Sequence, residues 1–219
     1  MRRGLFITLE GIDGSGKTTQ FRRLVTYLRR RGYPVRATRE PGGTRVGEEI
    51  RQILLAEHVG HCDRLAPLTE LTLMYAARAQ HLEEVVRPAL VRGQLVISDR
   101  FNDASVAYQG YGRQLGAPVV RAMDRTICGR TQSDLTLVLD LPPRLALERA
   151  RGREARRRSK RGRFEAQSLR FHERVRAGYL AIARREPGRV KVVQADLPVA
   201  EVQKQIRRLV DSFLMKRNR

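Results

Sequence analysis

Residues 11–19, which read GIDGSGKTT, constrain the fold of this chain more than any other stretch. From Gly11 to Thr18 they match the pattern G-x-x-x-x-G-K-[ST] in full. An apolar run at 5–10 precedes the pattern and an amphipathic stretch at 17–31 follows it, which predicts a strand, a loop and a helix in that order. Glycines let the loop curl its backbone N–H groups around an anion, and the start of the helix adds a partial positive charge. The stretch therefore predicts a phosphate loop.

A phosphate loop of this pattern holds a nucleoside triphosphate. Lys17 is expected to bridge the β- and γ-phosphates, and the hydroxyl group of Thr18 is expected to reach Mg²⁺. Asp13 is unexpected in such a loop, because a carboxylate repels phosphate unless a metal ion or a hydroxyl group lies between them. The residues predicted to bind ATP are Gly11, Ile12, Asp13, Gly14, Ser15, Gly16, Lys17, Thr18 and Thr19. GTPases, ATPases and kinases share this loop, so the acceptor must be identified from other residues.

Apolar runs alternate with longer amphipathic stretches along all 219 residues. The predicted strands are 5–10, 34–40, 95–100, 135–141 and 190–195, and the predicted helices include 17–31, 44–57, 68–92 and 199–217. Strands that are apolar throughout and are separated by helices indicate a parallel sheet covered on both faces. We therefore predict an α/β fold of the P-loop NTPase type, with three α/β/α layers, a five-stranded parallel sheet and one domain spanning 1–219.

The net charge of +21 is the strongest feature of the composition, and residues 151–163 alone contribute +7 of it. This basic segment lies between two helical patterns and is interpreted as a mobile loop. High positive charge is found in proteins that bind nucleic acid or anionic substrates. The segment has no aromatic residues on which bases could stack, so a nucleic-acid partner is not expected. A nucleic-acid-stimulated ATPase stays open as a minor alternative.

Other features favour a cytoplasmic protein without a membrane partner. No apolar run reaches the roughly 20 residues that span a bilayer. The N-terminal run lacks a small-residue cleavage site and leads directly into the phosphate loop. Two cysteines, Cys62 and Cys128, give no disulfide framework. Residues 58–62 (HVGHC) offer three candidate metal ligands where zinc commonly takes four, and are interpreted as a loop.

The ends of the first three predicted strands carry matched charged residues. Asp13 follows the first strand, Arg39 and Glu40 end the second, and Asp99 and Arg100 end the third. Ligands of open parallel sheets bind at the carboxyl ends of the strands. Two arginines suit a second phosphate, and carboxylates suit a metal ion or sugar hydroxyl groups. These residues predict a cleft in which two phosphorylated ligands face each other.

The motifs GIDGSGKTT, TREPGGT, YAARAQH and SDRFNDASVAYQG, in this order, resemble those of bacterial thymidylate kinases, and the resemblance runs from about residue 4 to 212. It implies transfer of the γ-phosphate of ATP to dTMP, giving dTDP and ADP for dTTP synthesis, with Mg²⁺ as cofactor. It also implies a nucleoside-monophosphate-kinase-like domain with a basic lid at about 149–165, and a homodimer formed through helices near 68–92. Another nucleoside monophosphate kinase or a deoxynucleoside kinase is the nearest alternative. Arg39 and Arg100 argue against a deoxynucleoside, which has no phosphate for them to hold.

The resemblance assigns roles around both substrates. Arg39 and Arg100 would hold the dTMP phosphate, Asp13 would take the sugar 3′-hydroxyl, and Asp99 would position Mg²⁺ together with Thr18. The residues expected to surround the thymine and the deoxyribose are Met74, Arg78, Ser105, Tyr108 and Gln109. Arg78 would bind a thymine carbonyl, Ser105 would lie near the N3 edge, and Tyr108 with Gln109 would form the wall against the deoxyribose.

The chain departs from the family pattern at three positions. Gly14 stands where one form of the family has an arginine, so the charge that stabilises phosphoryl transfer is expected from the basic segment. The candidates are Arg149, Arg151, Arg153 and Arg163, and the predicted catalytic residues are Lys17, Asp13, Arg100, Arg151 and Arg153. Met74 replaces a phenylalanine that stacks on thymine, and Ala104 replaces a serine. Methionine offers a softer contact with less π overlap.

Overall fold

The structure, a computed structural model, describes residues 3–56, 65–157, 164 and 167–218. Within them the strands are β1 (Phe6–Glu10), β2 (Val35–Arg39), β3 (Leu95–Asp99), β4 (Leu135–Asp140) and β5 (Val190–Gln194). They form one sheet in the order β2-β3-β1-β4-β5, and all neighbouring pairs are parallel. The predicted five-stranded parallel sheet is confirmed.

The central strands are buried on both faces. Every residue of β1 is buried, and β3 and β4 are buried except at their last residues. Because successive side chains of a strand point to opposite faces, such burial requires helices above and below the sheet. Phe6, Ile7, Leu9, Val96 and Leu137 form the middle of the core. The sheet is thus the inner layer of three, with its charged residues displaced to the carboxyl ends of the strands.

The helices connect these strands and form the outer layers. They are α1 (Lys17–Arg30), α2 (Arg45–Leu55), α3 (Pro67–His81), α4 (Arg87–Val91), α5 (Asn102–Ser105), α6 (Ala117–Ile127), α7 (Pro143–Arg157), α8 (Leu169–Arg185) and α9 (Val199–Asn218). Two π-helical turns, Leu82–Val86 and Val106–Gly112, continue α3 into α4 and extend α5. None of the described helices is both long and apolar enough to cross a membrane.

The long helix predicted at 68–92 is present as α3, the first π-helical turn and α4. Its apolar stripe is buried inside this chain at Leu71, Tyr75, Leu82, Val86 and Ala89. The stripe therefore packs the core beneath the sheet. Any contact with a second copy must use other residues.

The interpretation of 151–163 as a loop is wrong for its first half. The backbone of 151–157 continues helix α7, which begins at Pro143. Arginine, glutamate and alanine are good helix formers, and they outweigh the like charges of this stretch. Residues 158–163 and the stretch HVGHC at 58–62 lie outside the described residues.

Candidate active site

The phosphate loop lies at the carboxyl end of β1 and leads into α1. Gly11, Gly14 and Gly16 all have positive φ values, 136°, 86° and 89°, which L-residues with side chains rarely adopt. Lys17 folds back over the loop, and its Nζ donates to the carbonyl oxygens of Gly11 (2.9 Å) and Ile12 (3.0 Å). Thr18 and Thr19 are exposed at the start of the helix. The loop therefore has the curled backbone that the sequence predicts.

Gly14 is packed against helix α7. A Cβ atom built at Gly14 would lie 2.2 Å from the carbonyl oxygen of Ala146. A side chain here would have to displace the helix backbone. The arginine that one form of the family carries at this position therefore does not fit this arrangement of loop and helix.

Arg100 connects the phosphate loop to the end of β3. Its Nη2 donates to Asp13 Oδ1 (2.6 Å) and to the Tyr108 hydroxyl group (3.0 Å), and its Nη1 donates to the Gly11 carbonyl oxygen (3.0 Å). Its φ of 75° places it in the left-handed region, which is strained for a residue other than glycine. A strained backbone that aims a buried guanidinium group at a loop is typical of a functional site.

The charges of this cluster shift one another's pKa values. Burial alone would raise the pKa of Asp13, but Arg100 and Lys17 outweigh burial and lower it to about 2. Burial and the positive charge of Arg100 lower the pKa of Lys17 to about 8. Asp13 is therefore a carboxylate at neutral pH, and its oxygens accept hydrogen bonds from Arg100 and Tyr108.

A cavity of about 250 Å³, here called the central cavity, opens beside Asp13 and Arg100. Seven of its lining residues were predicted from the sequence to bind substrate. The predicted residues that line it are Asp13, Met74, Arg78, Arg100, Ser105, Tyr108 and Gln109. Its other lining residues are Glu40, Pro41, Arg51, Leu55, Phe101, Ala104 and Phe164.

Arg78 forms the deep polar wall of the central cavity. Its Nε donates to Glu40 Oε2 (2.7 Å), and its Nη2 donates to Ser105 Oγ (3.0 Å) and to the Phe101 carbonyl oxygen (3.2 Å). Burial would raise the pKa of Glu40, but Arg78 and His81 outweigh burial and lower it. Among the described residues, Arg78 Nη1 is buried and has no hydrogen-bond partner. The N–H groups of Nη1 are thus unpaired in a buried position, which calls for an explanation.

Of the two arginines predicted to hold a phosphate, Arg100 lines the central cavity and Arg39 does not. The side chain of Arg39 is 54% exposed, donates to both carboxylate oxygens of Glu48 (2.8 Å each) and does not line the central cavity. Arg51 lines it instead and donates to the Pro41 carbonyl oxygen (2.9 Å). Burial and the positive charges of Arg39 and Arg100 lower the pKa of Arg51. Three guanidinium groups close enough to repel one another indicate a site for an anion.

Tyr108 and Gln109 give the central cavity an aromatic ring and an amide group. The Tyr108 ring contacts the rings of Phe164, Phe171 and Tyr179 edge-on. Gln109 Nε2 donates to the buried carboxylate of Glu70 (2.8 Å). The second π-helical turn carries Tyr108 and Gln109, and such turns are frequent at functional sites.

The oxygen atoms available to a divalent cation suit magnesium. Thr18 offers a hydroxyl group at the start of α1, and Asp99 offers a carboxylate at the end of β3 whose charge opposes the lowering of the Lys17 pKa. Mg²⁺ is commonly held by one or two protein oxygens together with water and phosphate. The donor set therefore fits Mg²⁺ bound with a nucleotide. Among the described residues, no group of three metal-ligating side chains occurs.

The candidate arginines of the basic segment are only partly described. Arg149 is exposed, and its Nη1 donates to the Ala195 carbonyl oxygen (3.0 Å). Arg151 and Arg153 lie in α7, but their side chains are outside the described part of the chain, as is all of Arg163. Their predicted catalytic role stays a prediction.

Comparison with known proteins identifies the family. The family model of thymidylate kinase matches residues 9–206. The chain belongs to the thymidylate kinase family. It is 51% identical to the thymidylate kinase of Syntrophotalea carbinolica over 198 residues, covering 90% of each chain, and 46% identical to that of Desulfovibrio desulfuricans over 217 residues, covering 98% of this chain and 99% of the relative. The crystal structure of thymidylate kinase from Ehrlichia chaffeensis superposes with a TM-score of 0.76 at 29% identity, covering 95% of this chain and 99% of the other. The resemblance drawn from the motifs is confirmed.

Sequence reasoning missed Arg51 as a residue of the central cavity, and it missed the partners of Glu40. Arg51 follows Glu48 by three residues on α2, so the two share a helix face, and this spacing could have identified it. Glu40 was noted at a strand end but was not assigned to Arg78 and His81, which contact it from α3. Because Glu40 and its partners are far apart in the sequence, no local sequence pattern predicts that they contact each other.

Proposed function

We propose that the chain transfers the γ-phosphate of ATP to dTMP, giving dTDP and ADP for dTTP synthesis. The observation that carries the proposal is the position of Arg100, which lines the central cavity while its guanidinium group bonds Gly11 and Asp13 of the phosphate loop. A monophosphate held by Arg100 would lie beside the terminal phosphate of a nucleotide in the loop. Membership of the thymidylate kinase family supports dTMP as that monophosphate.

The acceptor would be held by the described residues of the central cavity. Arg51 and Arg100 bind its phosphate, with Arg39 as the third cation at the rim. Asp13 accepts a hydrogen bond from the sugar 3′-hydroxyl. The free Nη1 of Arg78 donates to a thymine carbonyl oxygen, and Ser105 lies beside it. The remaining predicted contacts, which enclose the base and the deoxyribose, come from Met74, Tyr108 and Gln109.

The donor would be held by the phosphate loop. Its backbone N–H groups and Lys17 bind the phosphates of ATP, and Thr18 and Asp99 hold Mg²⁺. Bound Mg²⁺ neutralises charge on the phosphate oxygens. Lys17 adds positive charge at the transferred group, and burial in this cluster strengthens that interaction.

An arginine from the basic segment, Arg149, Arg151, Arg153 or Arg163, supplies the charge that Gly14 cannot. Single alanine variants at these four positions identify it by a loss of turnover of about 10³-fold.

The oligomeric state and location are also proposals. Val46 and Ile53 on α2 and Leu68 on α3 are exposed apolar residues on helices that pack together. We expect this face to form a homodimer in the cytoplasm. Sedimentation of the double variant Ile53→Glu and Leu68→Glu tests it, because a monomer is expected and an unchanged dimer would exclude this face.

An acceptor screen tests the proposed reaction. Release of ADP from ATP with Mg²⁺ is measured with dTMP, dUMP and thymidine. Turnover is expected to be fastest with dTMP and absent with thymidine, which offers Arg51 and Arg100 no phosphate. Preference for another monophosphate would reassign the substrate, and activity with thymidine would contradict the phosphate site. ATP hydrolysis stimulated by DNA at low salt would support the nucleic-acid alternative.

A further inference from the structure

Glu10, the last residue of β1, is a buried carboxyl group that no part of the proposed reaction uses. Its side chain is fully buried and does not line the central cavity. Its Oε1 accepts a hydrogen bond from the backbone N–H of Phe101 (2.7 Å), and its Oε2 accepts one from the hydroxyl group of Tyr179 (2.8 Å). Burial and the charge of Asp103 raise the pKa of Glu10 to about 8, and Arg100 opposes that rise. A carboxyl group that is costly to bury is thus held close to Arg100 by its bond to the next residue.

The first bond fixes the backbone of Arg100. With φ at 75°, Arg100 is in the left-handed region, which is strained for a residue with a side chain. Its own N–H donates to the Leu9 carbonyl oxygen (3.0 Å), its carbonyl oxygen accepts from Ser98 Oγ (2.7 Å), and the next N–H is the one bound by Glu10. The Glu10 bond therefore closes the turn that points the arginine toward the phosphate loop.

The second bond acts on the guanidinium group. Arg100 Nη1 donates to the Tyr179 hydroxyl oxygen (3.2 Å), and that hydroxyl group donates its proton to Glu10. The hydrogen bonds therefore run in one direction, from Arg100 through Tyr179 to Glu10. Tyr179 is on α8 and is 1% exposed, so solvent cannot replace its hydroxyl group. Glu10 holds both ends of Arg100, the main chain directly and the side chain through Tyr179.

We propose that Glu10 and Tyr179 are positioning residues that aim Arg100 at the phosphate of the acceptor nucleotide. Neither residue touches a substrate in this proposal, which rests on the proposed role of Arg100 in binding dTMP. The alternative is that the hydrogen bond between Glu10 and Tyr179 only pairs two buried polar groups and has no effect on Arg100. The two possibilities differ in whether the effect of a substitution depends on the phosphate group of the ligand.

The test compares the binding of dTMP and of thymidine, measured by calorimetry, in the wild-type chain and in Tyr179→Phe. The substitution removes one hydroxyl group and keeps the ring that packs on Tyr108. Binding of dTMP should weaken about tenfold, the loss expected for one hydrogen bond to a charged group, while binding of thymidine stays within about twofold. Unchanged dTMP binding, or equal weakening of both ligands, would overturn the proposal.

Tyr27→Phe is the matched control. The Tyr27 hydroxyl group also donates to a carboxylate, Asp211 Oδ2 at 2.7 Å, but on α1 outside the site. This variant loses the same kind of bond and should bind both ligands as the wild type does. A weakening of dTMP binding equal to that of Tyr179→Phe would count against a specific effect at Arg100.

A double-mutant cycle with Arg100→Ala tests whether Tyr179 changes dTMP affinity through Arg100. If Tyr179 acts through Arg100, then Tyr179→Phe costs no further dTMP affinity once Arg100 is absent. A full additional tenfold loss in that background would contradict the proposal. Glu10→Ala removes both acceptors and should weaken dTMP binding more than Tyr179→Phe does. If Glu10→Ala fails to fold, the Tyr179 cycle still decides the question.

The failure of this inference can be separated from failure of the proposed function. If the wild-type chain binds dTMP no more tightly than thymidine, the phosphate site itself is wrong. If the wild type prefers dTMP and Tyr179→Phe keeps the full preference, only the positioning role of Glu10 and Tyr179 is wrong.

Discussion

The phosphate loop and the central cavity lie side by side, but different parts of the chain build them. The loop is shaped by backbone: three glycines with positive φ and a lysine whose Nζ bonds main-chain carbonyl oxygens. The cavity is shaped by side chains from the segment after β2, from α2 and α3, and from the residues that follow β3, tied by pairs such as Glu40 with Arg78. The loop is a local structure, whereas the cavity depends on contacts across the whole fold.

This difference indicates where each substrate's specificity originates. Backbone N–H groups recognise phosphate in any nucleotide, so the loop suits a donor that many enzymes share. Fixed side chains with one free donor at Arg78 Nη1 recognise one arrangement of acceptor atoms. The acceptor side should therefore respond to single substitutions with graded losses, and the donor side should respond in an all-or-none manner.

Removal of Lys17 should have the largest effect on the donor side. Lys17→Ala is expected to lower turnover by about 10³-fold, because the charge on the transferred phosphate loses its nearest cation. Binding of dTMP, measured by calorimetry without ATP, should change little. Lys204→Ala, on the exposed side of α9, is the control and should keep full turnover. A large loss of dTMP binding in Lys17→Ala would contradict the separation of the two sides.

Arg100 contacts both the phosphate loop and the central cavity, so its loss tests how independent the two regions are. Arg100→Ala should raise the dTMP concentration needed for half-maximal rate by about 10²-fold, since two charge-assisted bonds to phosphate disappear. The ATP requirement should rise less, because Arg100 reaches the loop only through Gly11 and Asp13. Steady-state kinetics with each substrate varied in turn measures both, and equal weakening of the two would show that Arg100 is misplaced here.

Gly14 tests whether the donor side depends on backbone. Gly14→Ala combines a φ of 86° with a Cβ atom 2.2 Å from the Ala146 carbonyl oxygen, so unfolding should become easier by about 2 kcal/mol or more. Urea denaturation gives this value. Gly188→Ala, where a Cβ atom meets nothing within 4 Å, is the matched control and should be close to neutral. A stable Gly14→Ala variant with normal ATP binding would argue against a backbone-shaped loop.

Arg51 and Arg39 test whether the residue that the structure places in the cavity wall or the residue that the sequence predicted holds the phosphate of dTMP. Arg51→Ala should weaken dTMP binding about tenfold, because Arg51 lines the central cavity. Arg39→Ala should weaken it less, because Arg39 is exposed and paired with Glu48. Calorimetry with dTMP decides between them. A larger loss from Arg39→Ala would mean that Arg39 leaves Glu48 when the acceptor binds.

The smallest effect is expected at Met74, a partly buried residue of the cavity wall. Met74→Phe should tighten thymidine binding about two- to fivefold, since an aromatic ring stacks on a base better than a thioether does. Competition binding with thymidine measures the change. Weaker binding would mean that the wall has no room for the larger ring.

The sequence was sufficient for the sheet, because buried parallel strands are continuous apolar runs between helices. All five strands lie within one residue of the predicted bounds at each end. It was insufficient for α5 and the second π-helical turn, since NDASVAYQGYG has no helical periodicity and both elements pack on α8. It was also misleading at 151–157, where like charge was given more weight than helix propensity.

In the site as well, features set by the sheet topology could be predicted from the sequence, whereas those set by contacts between distant residues could not. The strand-end positions of Asp13, Asp99 and Arg100 followed from the topology of a parallel sheet. The direction of the Arg39 side chain did not, because Glu48 on another element determines it. Tyr179 and Glu10 are 169 residues apart, and nothing in the local sequence indicates that they share a hydrogen bond.

The unpartnered Nη1 of Arg78 has a consequence for inhibitor chemistry. A compound that fills the central cavity with hydrocarbon alone would leave Nη1 as unpaired as it is in the free protein. A scaffold that presents a carbonyl or ring-nitrogen acceptor to Nη1 would gain about 1.5–3 kcal/mol of binding free energy from a hydrogen bond to a charged group. Medicinal chemistry on this pocket should therefore begin from the acceptor atom and add bulk afterwards.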